Sequence, residues 1–363
     1  MSRDDPGNQS ADTKMNTIIE HIDPNNPDPE VIARAGDIIK KGGLVAFPTE
    51  TVYGLGGDAL NPEASAGIYA AKGRPSDNPL IVHIAETDSL DRIVRRIPDG
   101  AGKLADRFWP GPLTIIFEKS DAVPVQTTGG LDTVAVRFPE DRTAQALIKA
   151  SGGYIAAPSA NISGRPSPTR GEYVIQDLDG RVDMIICGDD SRIGLESTIV
   201  DMTSEEPVIL RPGFITLEEL GEVLPGITLD RGLISEDPDI RPKAPGMKYR
   251  HYAPRGELTI VEGDNESVIS YINMKTGEAS EKGLRTGVIA HDERTGMYKA
   301  DLIAGIGRET EPEEAAHRIY TVLRRMDDEK IDVIYTESMS EGGIGTAFMN
   351  RLTKAAGHHI VRL

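Results

Sequence analysis

Apolar residues along this chain fall into short runs separated by segments with helical spacing. The runs LVAF (44–47), LIVHI (80–84), LTIIFEK (113–119), DTVAVRFP (132–139), YIAA (154–157) and VDMIIC (182–187) have the length and β-branched content of buried strands. Residues 194–200 and 207–213 read as an antiparallel pair with Ser197 at one end and Arg211 at the other. Between the runs lie helices with clear start signals. Asp28 is placed to cap a helix that opens on Pro29 and ends before Gly42, and Asn61 one that opens on Pro62 and stops at Gly73 and Pro75. Two short helices are predicted within 88–108 and another over 141–150. From residue 257 the alternation resumes: ELTIVEG, a helix near 264–275, TGVIAH, a long helix near 311–328, IDVIYTE, a helix over 344–356, then HIVRL. This predicts an α/β fold in both halves, the second a small open sheet. Residues 48–56 (PTETVYGLG) and 158–167 (PSANISGRPS) read as polar, glycine-bearing loops leaving strand ends. The expected organisation is a disordered stretch over 1–15, a first domain over 16–224, a linker over 225–256 rich in Pro, Gly and charge, and a second domain over 257–363.

Length and composition narrow the function classes. The 363 residues suffice for two cores, and 38% hydrophobic with 27% charged residues is ordinary for a globular protein. The formal net charge of -18 and only 5% aromatic residues oppose stable nucleic-acid binding. The single cysteine, Cys187, excludes an internal disulfide and a cysteine-based zinc site. No run spans a bilayer and the N-terminus lacks a signal-peptide core, so no membrane association is expected and the predicted compartment is the cytoplasm.

Candidate chemistry centres on residues 72–83, KGRPSDNPLIVH. Lys72 and Arg74 are fixed at a helix-to-strand junction, a point charge beside a planar fork, which suits a polyanion such as a triphosphate. Taken alone, the stretch is better read as a basic helix C-terminus. Arg137 interrupts an otherwise apolar strand and needs an anionic partner, either an internal carboxylate or a substrate one. The glycine cluster 342–345 (GGIG) is explained as well by a tight turn as by an anion site. The run 245–254 (PGMKYRHYAP) is too aromatic and basic for a passive tether. It is expected either to fold over a cleft when ligands bind or to serve as a static strap packed by its tyrosines.

With KGRPSDNPL, PTETVYGLG and PSANISGRPSPT in order, the chain resembles the YrdC-like family, over roughly residues 16–363. The linker and second α/β domain are similar to the family's two-domain threonylcarbamoyl-AMP synthases. The resemblance implies a YrdC-like twisted mixed sheet with a concave cleft, plus a smaller Rossmann-like α/β domain. The implied activity is synthesis of L-threonylcarbamoyl-AMP and pyrophosphate from L-threonine, bicarbonate and ATP with Mg²⁺. The product feeds a downstream tRNA threonylcarbamoyltransferase complex. Lys72 and Arg74 would be the catalytic cations. ATP would be lined by these two with Asn78, Thr133, Ser159, Asn161, Ser167, Arg211 and Tyr249, or His251 in place of the last. L-threonine would lie against Thr51, His83, Arg137, Ala157 and Ser197, with Arg137 meeting its carboxylate. Metal would be held mainly by ATP phosphates. The competing classes are a carbamoyl-adenylate enzyme of hydrogenase maturation and an RNA-binding module. The first usually brings zinc-binding cysteines that this chain lacks, and the charge opposes the second.

Overall fold

A computed structural model describes residues 15–230, 251–340 and 342–363. The first domain is built on one mixed sheet. Its strands are β1 (Ile18–His21), β2 (Val45–Phe47), β3 (Gly54–Asp58), β4 (Ile81–His83), β5 (Leu113–Glu118), β6 (Thr133–Arg137), β7 (Ile155–Ala157), β8 (Met184–Cys187), β9 (Thr198–Asp201), β10 (Val208–Arg211) and β11 (Thr228–Leu229). They lie in the order β1-β8-β2-β3-β7-β4-β6-β5-β9-β10-β11. Around them pack α1 (Pro29–Lys40), α2 (Pro62–Lys72), α3 (Leu90–Ile93), α4 (Asp99–Phe108), α5 (Arg142–Ala150), α6 (Gly171–Leu178) and α7 (Leu217–Val223). The expected caps are in place: the Asp28 and Asn61 side chains accept from the backbone N–H groups of Glu30 and Glu63. Trp109 is a buried packing anchor whose Nε1 donates to Leu113 O at 2.7 Å.

The second domain is an open parallel sheet of β12 (Glu257–Glu262), β13 (Thr286–Ala290), β14 (Leu302–Gly305), β15 (Val333–Glu337) and β16 (Ile360–Arg362), ordered β14-β13-β15-β12-β16. Its long helices are α8 (Asn265–Glu281), α9 (Pro312–Asp328) and α10 (Ile344–Ala355). No helix among the described residues is long and apolar enough to cross a membrane.

Several expectations are corrected. Gly54–Asp58, read as part of a loop, is a central strand between β2 and β7. Its glycines hide it from a propensity reading, yet packing demands them. A Cβ on Gly56 would lie 2.7 Å from Ile155 Cγ2 and 2.8 Å from the Phe47 ring. The antiparallel pairing of β9 and β10 brings Ser197 and Arg211 to the same end, not opposite ends, where Arg211 Nη2 donates to Ser197 Oγ at 3.1 Å. The presumed linker is partly built in: β11 pairs with β10, and His251 and Tyr252 are buried. Strands β1, β11 and β14 and helices α6 and α7 had no strong signal, and α8 continues past 275 to Glu281 through Gly277.

The two domains share an interface. Val52, Ile193 and Leu195 of the first are buried in one cluster with Tyr320, Leu323 and Phe348 of the second. At Gly194 (φ +80°) a Cβ would meet the α9 backbone at His317, 2.5 Å away, so glycine is required twice over. Arg324 and Arg351, the largest fully buried side chains among the described residues, both cross this interface. Arg324 binds both Asp177 oxygens at 2.9 and 2.8 Å and the Pro166 carbonyl at 3.0 and 2.6 Å.

Candidate active site

A cleft of about 720 Å³, counted to its open mouth, lies where the loops after β2, α2, β7 and the ends of β9 and β10 converge. Lys72, Arg74, Ser159, Asn161, Ser167 and Arg211 from the expected nucleotide set line it, together with Thr51, His83, Arg137, Ala157 and Ser197 from the expected threonine set.

Gly73 ends α2 in the left-handed conformation (φ +61°), which turns Arg74 back over the helix end. Lys72 is 2% exposed and reaches across to the loop after β7, donating to the carbonyls of Ser159 and, at 2.5 Å, Asn161. Arg74 donates to the carbonyls of Asn78 (3.2 Å) and Pro79 (3.1 Å). These carbonyls orient the two cations without neutralising them, and among the described residues neither Lys72 nor Arg74 forms an ion pair. Burial, reinforced by the Arg74 charge, pushes the Lys72 ammonium well below its ordinary value. Burial likewise brings Arg74 down to about 10. An anion entering the cleft relieves both penalties at once.

The loop after β7 is fixed internally. Ser159 Oγ donates to Asn161 Oδ1 at 2.5 Å, and Asn161 Nδ2 donates to the carbonyls of Ile162 and Arg165. Asp177 anchors the same loop through Ile162 N–H and the Arg165 guanidinium. On the other wall, Arg137 finds an internal carboxylate: Nη2 pairs with Glu50 Oε1 at 2.6 Å while Nη1 donates to Thr51 Oγ1 at 2.8 Å. Its Nε contacts Gly111 O at 3.4 Å, so part of the five-donor fork remains for a ligand.

Two expected residues are displaced from the cleft. Thr133 opens β6, whereas the cleft residue Arg137 closes it; at strand rise the two are about 13 Å apart. Asn78 sits behind Arg74 and supports it through its carbonyl, with its side chain buried. Tyr249 and the basic residues Lys248 and Arg250 lie outside the described residues. The described end of that run is packed down: His251 and Tyr252 line the cleft, and Tyr252 stacks on Tyr320 with centroids 5.3 Å apart.

Sequence reading missed Glu196, Arg165 and Thr49 as cleft residues. Glu196 carried only a weak signal, a charged residue three positions before the apolar pair Ile199-Val200. Burial alone would raise its carboxyl, but Arg351 and Arg211 beside it bring it down to about 2. Among the described residues no group of three or more His, Cys, Asp or Glu is arranged to hold a metal.

The cleft histidines make stability pH-dependent. Burial, followed by the Arg137 charge for His83 and the Arg74 charge for His251, pushes both imidazoles down to about 3. Both stay neutral in the folded chain while the unfolded chain protonates them below about 6.5. Their contribution is full above about pH 6.5 and is lost as pH falls from there towards 3. Asp141, raised to about 6 by burial, works the other way, but as one group with a smaller shift. The midpoint of thermal unfolding is therefore expected to fall between about pH 7 and pH 5, with His83→Gln flattening part of the drop. A midpoint that holds or rises over that interval would contradict the assignment.

Comparison with known proteins shows the family. Residues 37–213 match the Sua5/YciO/YrdC family model, described as "Telomere recombination". Residues 215–357 match the model described as "Threonylcarbamoyl-AMP synthase, C-terminal domain". The chain is 48% identical over 329 residues to a threonylcarbamoyl-AMP synthase of Pyrococcus abyssi, covering 91% of this chain and 95% of that one. It is 46% identical over 346 residues to the Bacillus subtilis protein of the same name, covering 95% and 97%. A P. abyssi Sua5 structure complexed with L-threonine superposes with a TM-score of 0.90 at 46% identity, covering 96% of this chain and all of that one.

Proposed function

Because the chain belongs to the Sua5/YciO/YrdC family in its two-domain form, we propose that the cleft joins L-threonine, bicarbonate and ATP. The protein is a threonylcarbamoyl-AMP synthase, a nucleotidyltransferase-type enzyme of tRNA threonylcarbamoyladenosine biosynthesis. The observation that carries the ATP assignment is the pair of cations, buried Lys72 and half-buried Arg74, held by carbonyls and lacking a carboxylate partner among the described residues.

In this reading the threonine amine attacks the bicarbonate carbon and water leaves, giving a carbamate. A carbamate oxygen then attacks the α-phosphorus of ATP; the bond to the bridging oxygen breaks and pyrophosphate departs with its electron pair. Charge builds on the leaving group, and Lys72, Arg74 and Arg211, which line the cleft, would stabilise it. No covalent enzyme intermediate is required, so positioning and charge stabilisation carry the rate. Glu196, the one carboxylate lining the cleft among the described residues, has both oxygens engaged. That donor set fits Mg²⁺ held by nucleotide phosphates and water rather than by a protein cage. Bound so, the ion withdraws charge from the polyphosphate. Threonine would rest among Thr51, His83, Ala157 and Ser197, its carboxylate on the remaining N–H groups of Arg137. The released adenylate would pass to the tRNA-modifying transferase, a role that supports a cytoplasmic location.

The test is pyrophosphate release with different amino acids. Thr51 and Ser197 are buried hydroxyls, and a site built to hydrogen-bond a substrate hydroxyl rejects analogues lacking it. Threonine is expected to exceed 2-aminobutyrate in kcat/KM by about ten- to a hundredfold, and serine by less, with no release when bicarbonate is withheld. Equal rates for threonine and 2-aminobutyrate would overturn the threonine assignment.

A further inference from the structure

Arg351, on α10 of the second domain, is fully buried and grips the cleft from outside. Its Nε donates to Glu196 Oε2 at 2.9 Å, Nη1 to the Pro212 carbonyl at 2.8 Å and Nη2 to the Glu196 carbonyl at 3.4 Å. Glu196 and Pro212 are the chain neighbours of Ser197 and Arg211, which face the cleft from the ends of β9 and β10. Glu196 passes the constraint on: Oε1 accepts from the cleft residue Ser167 at 2.7 Å, and Oε2 also accepts from Tyr320 of α9 at 2.7 Å. Tyr252 lies in the same assembly, stacked on Tyr320 and 5.9 Å beneath the Arg351 guanidinium.

This arrangement does not follow from stability alone. A carboxylate in the wall of a polyphosphate site repels the ligand unless its charge is drawn elsewhere, and replacing a buried ion pair with apolar groups is often neutral or stabilising. An arginine fork that spans two strand ends fixes a distance and an angle that apolar packing would leave loose.

Resting on the functional reading above, we propose that Arg351 is a positioning residue of the ATP site. Through Glu196 and Pro212 it sets Ser167, Ser197 and Arg211, so the second domain tunes the cleft without contributing a ligand contact of its own.

The test is a double-mutant cycle in the full chain, read as the Kd for ATP·Mg²⁺ by calorimetry. Arg351→Lys keeps the charge but loses the fork. It is expected to weaken ATP about tenfold in the wild-type background and by about threefold in an Arg211→Gln background, because a large part of its effect passes through Arg211 and the rest through Ser167 and Ser197. Glu196→Gln, which keeps the shape of the wall, is expected to behave the same way and serves if Arg351→Lys does not fold. Affinity unchanged by either variant, or lowered equally in both backgrounds, would overturn the positioning role while leaving the functional reading intact. A wild-type chain that binds no ATP would refute both.

Discussion

Replacing Lys72 or Arg74 with Ala is expected to lower ATP-dependent pyrophosphate formation by about a hundredfold or more, with little change in thermal stability. The two halves of this expectation have one cause. Lys72 is buried and Arg74 half-buried, and each is held by neutral carbonyls rather than by a carboxylate. Removing it strands no opposite charge in the core, so the usual penalty for breaking a buried ion pair does not arise. The ligand-free protein bears the cost of desolvating both cations, and the polyphosphate recovers it. A charge-assisted hydrogen bond to an anion contributes about 1.5–3 kcal/mol, and each of these side chains offers more than one donor. Activity and stability should therefore separate, activity collapsing while the melting midpoint moves by a few degrees at most. Near-normal turnover in both single variants would return the stretch to an ordinary basic helix end. A large loss of stability would show that the cations are structural.

A chain ending at Asp230 is expected to lose activity by a comparable factor. The cut is placed there because β11 closes the sheet on β10, the strand that carries Arg211. Without the second domain, Val52, Ile193 and Leu195 lose their apolar cover, at about 1.5–3 kcal/mol each. That sum is a large share of the roughly 5–15 kcal/mol that stabilises a typical domain. The loop after β7 loses Arg324, which holds the Pro166 carbonyl and Asp177; the ends of β9 and β10 lose Arg351. Truncation thus releases two of the segments that line the cleft, even if the sheet itself survives. Pyrophosphate formation by the truncated chain, set beside its circular dichroism spectrum, separates unfolding from a folded but loosened site. Full activity in the truncated chain would show the second domain dispensable to the chemistry.

What the sequence disclosed depended on how local the cause was. The helices opening at Asp28–Pro29 and Asn61–Pro62 were legible because cap and first turn lie within four residues. Compact apolar runs gave most of the buried strands. Strand β3 was not legible, because its glycines serve the side chains of Phe47 and Ile155, nine and ninety-nine residues from Gly56. For the cleft, cations and hydroxyls clustered within short loops were readable, and all but Asn78 and Thr133 among the described candidates line it. Those two lie outside its lining for positional reasons: one supports a cation from behind, and the other stands at the far end of a strand. Two of the partners of Glu196, Tyr320 and Arg351, lie 124 and 155 residues away in another domain. Nothing in the local pattern of the ESTIV segment points to them.

The most direct test of the account is the identity of the product. The full chain, incubated with ATP, Mg²⁺, L-threonine and ¹³C-labelled bicarbonate, is analysed by mass spectrometry before the mixed anhydride hydrolyses. The account predicts an adenylate containing one threonine and one labelled carbon, formed together with pyrophosphate and absent when either threonine or bicarbonate is omitted. Pyrophosphate release that is independent of bicarbonate, or an adenylate carrying no label, would contradict it.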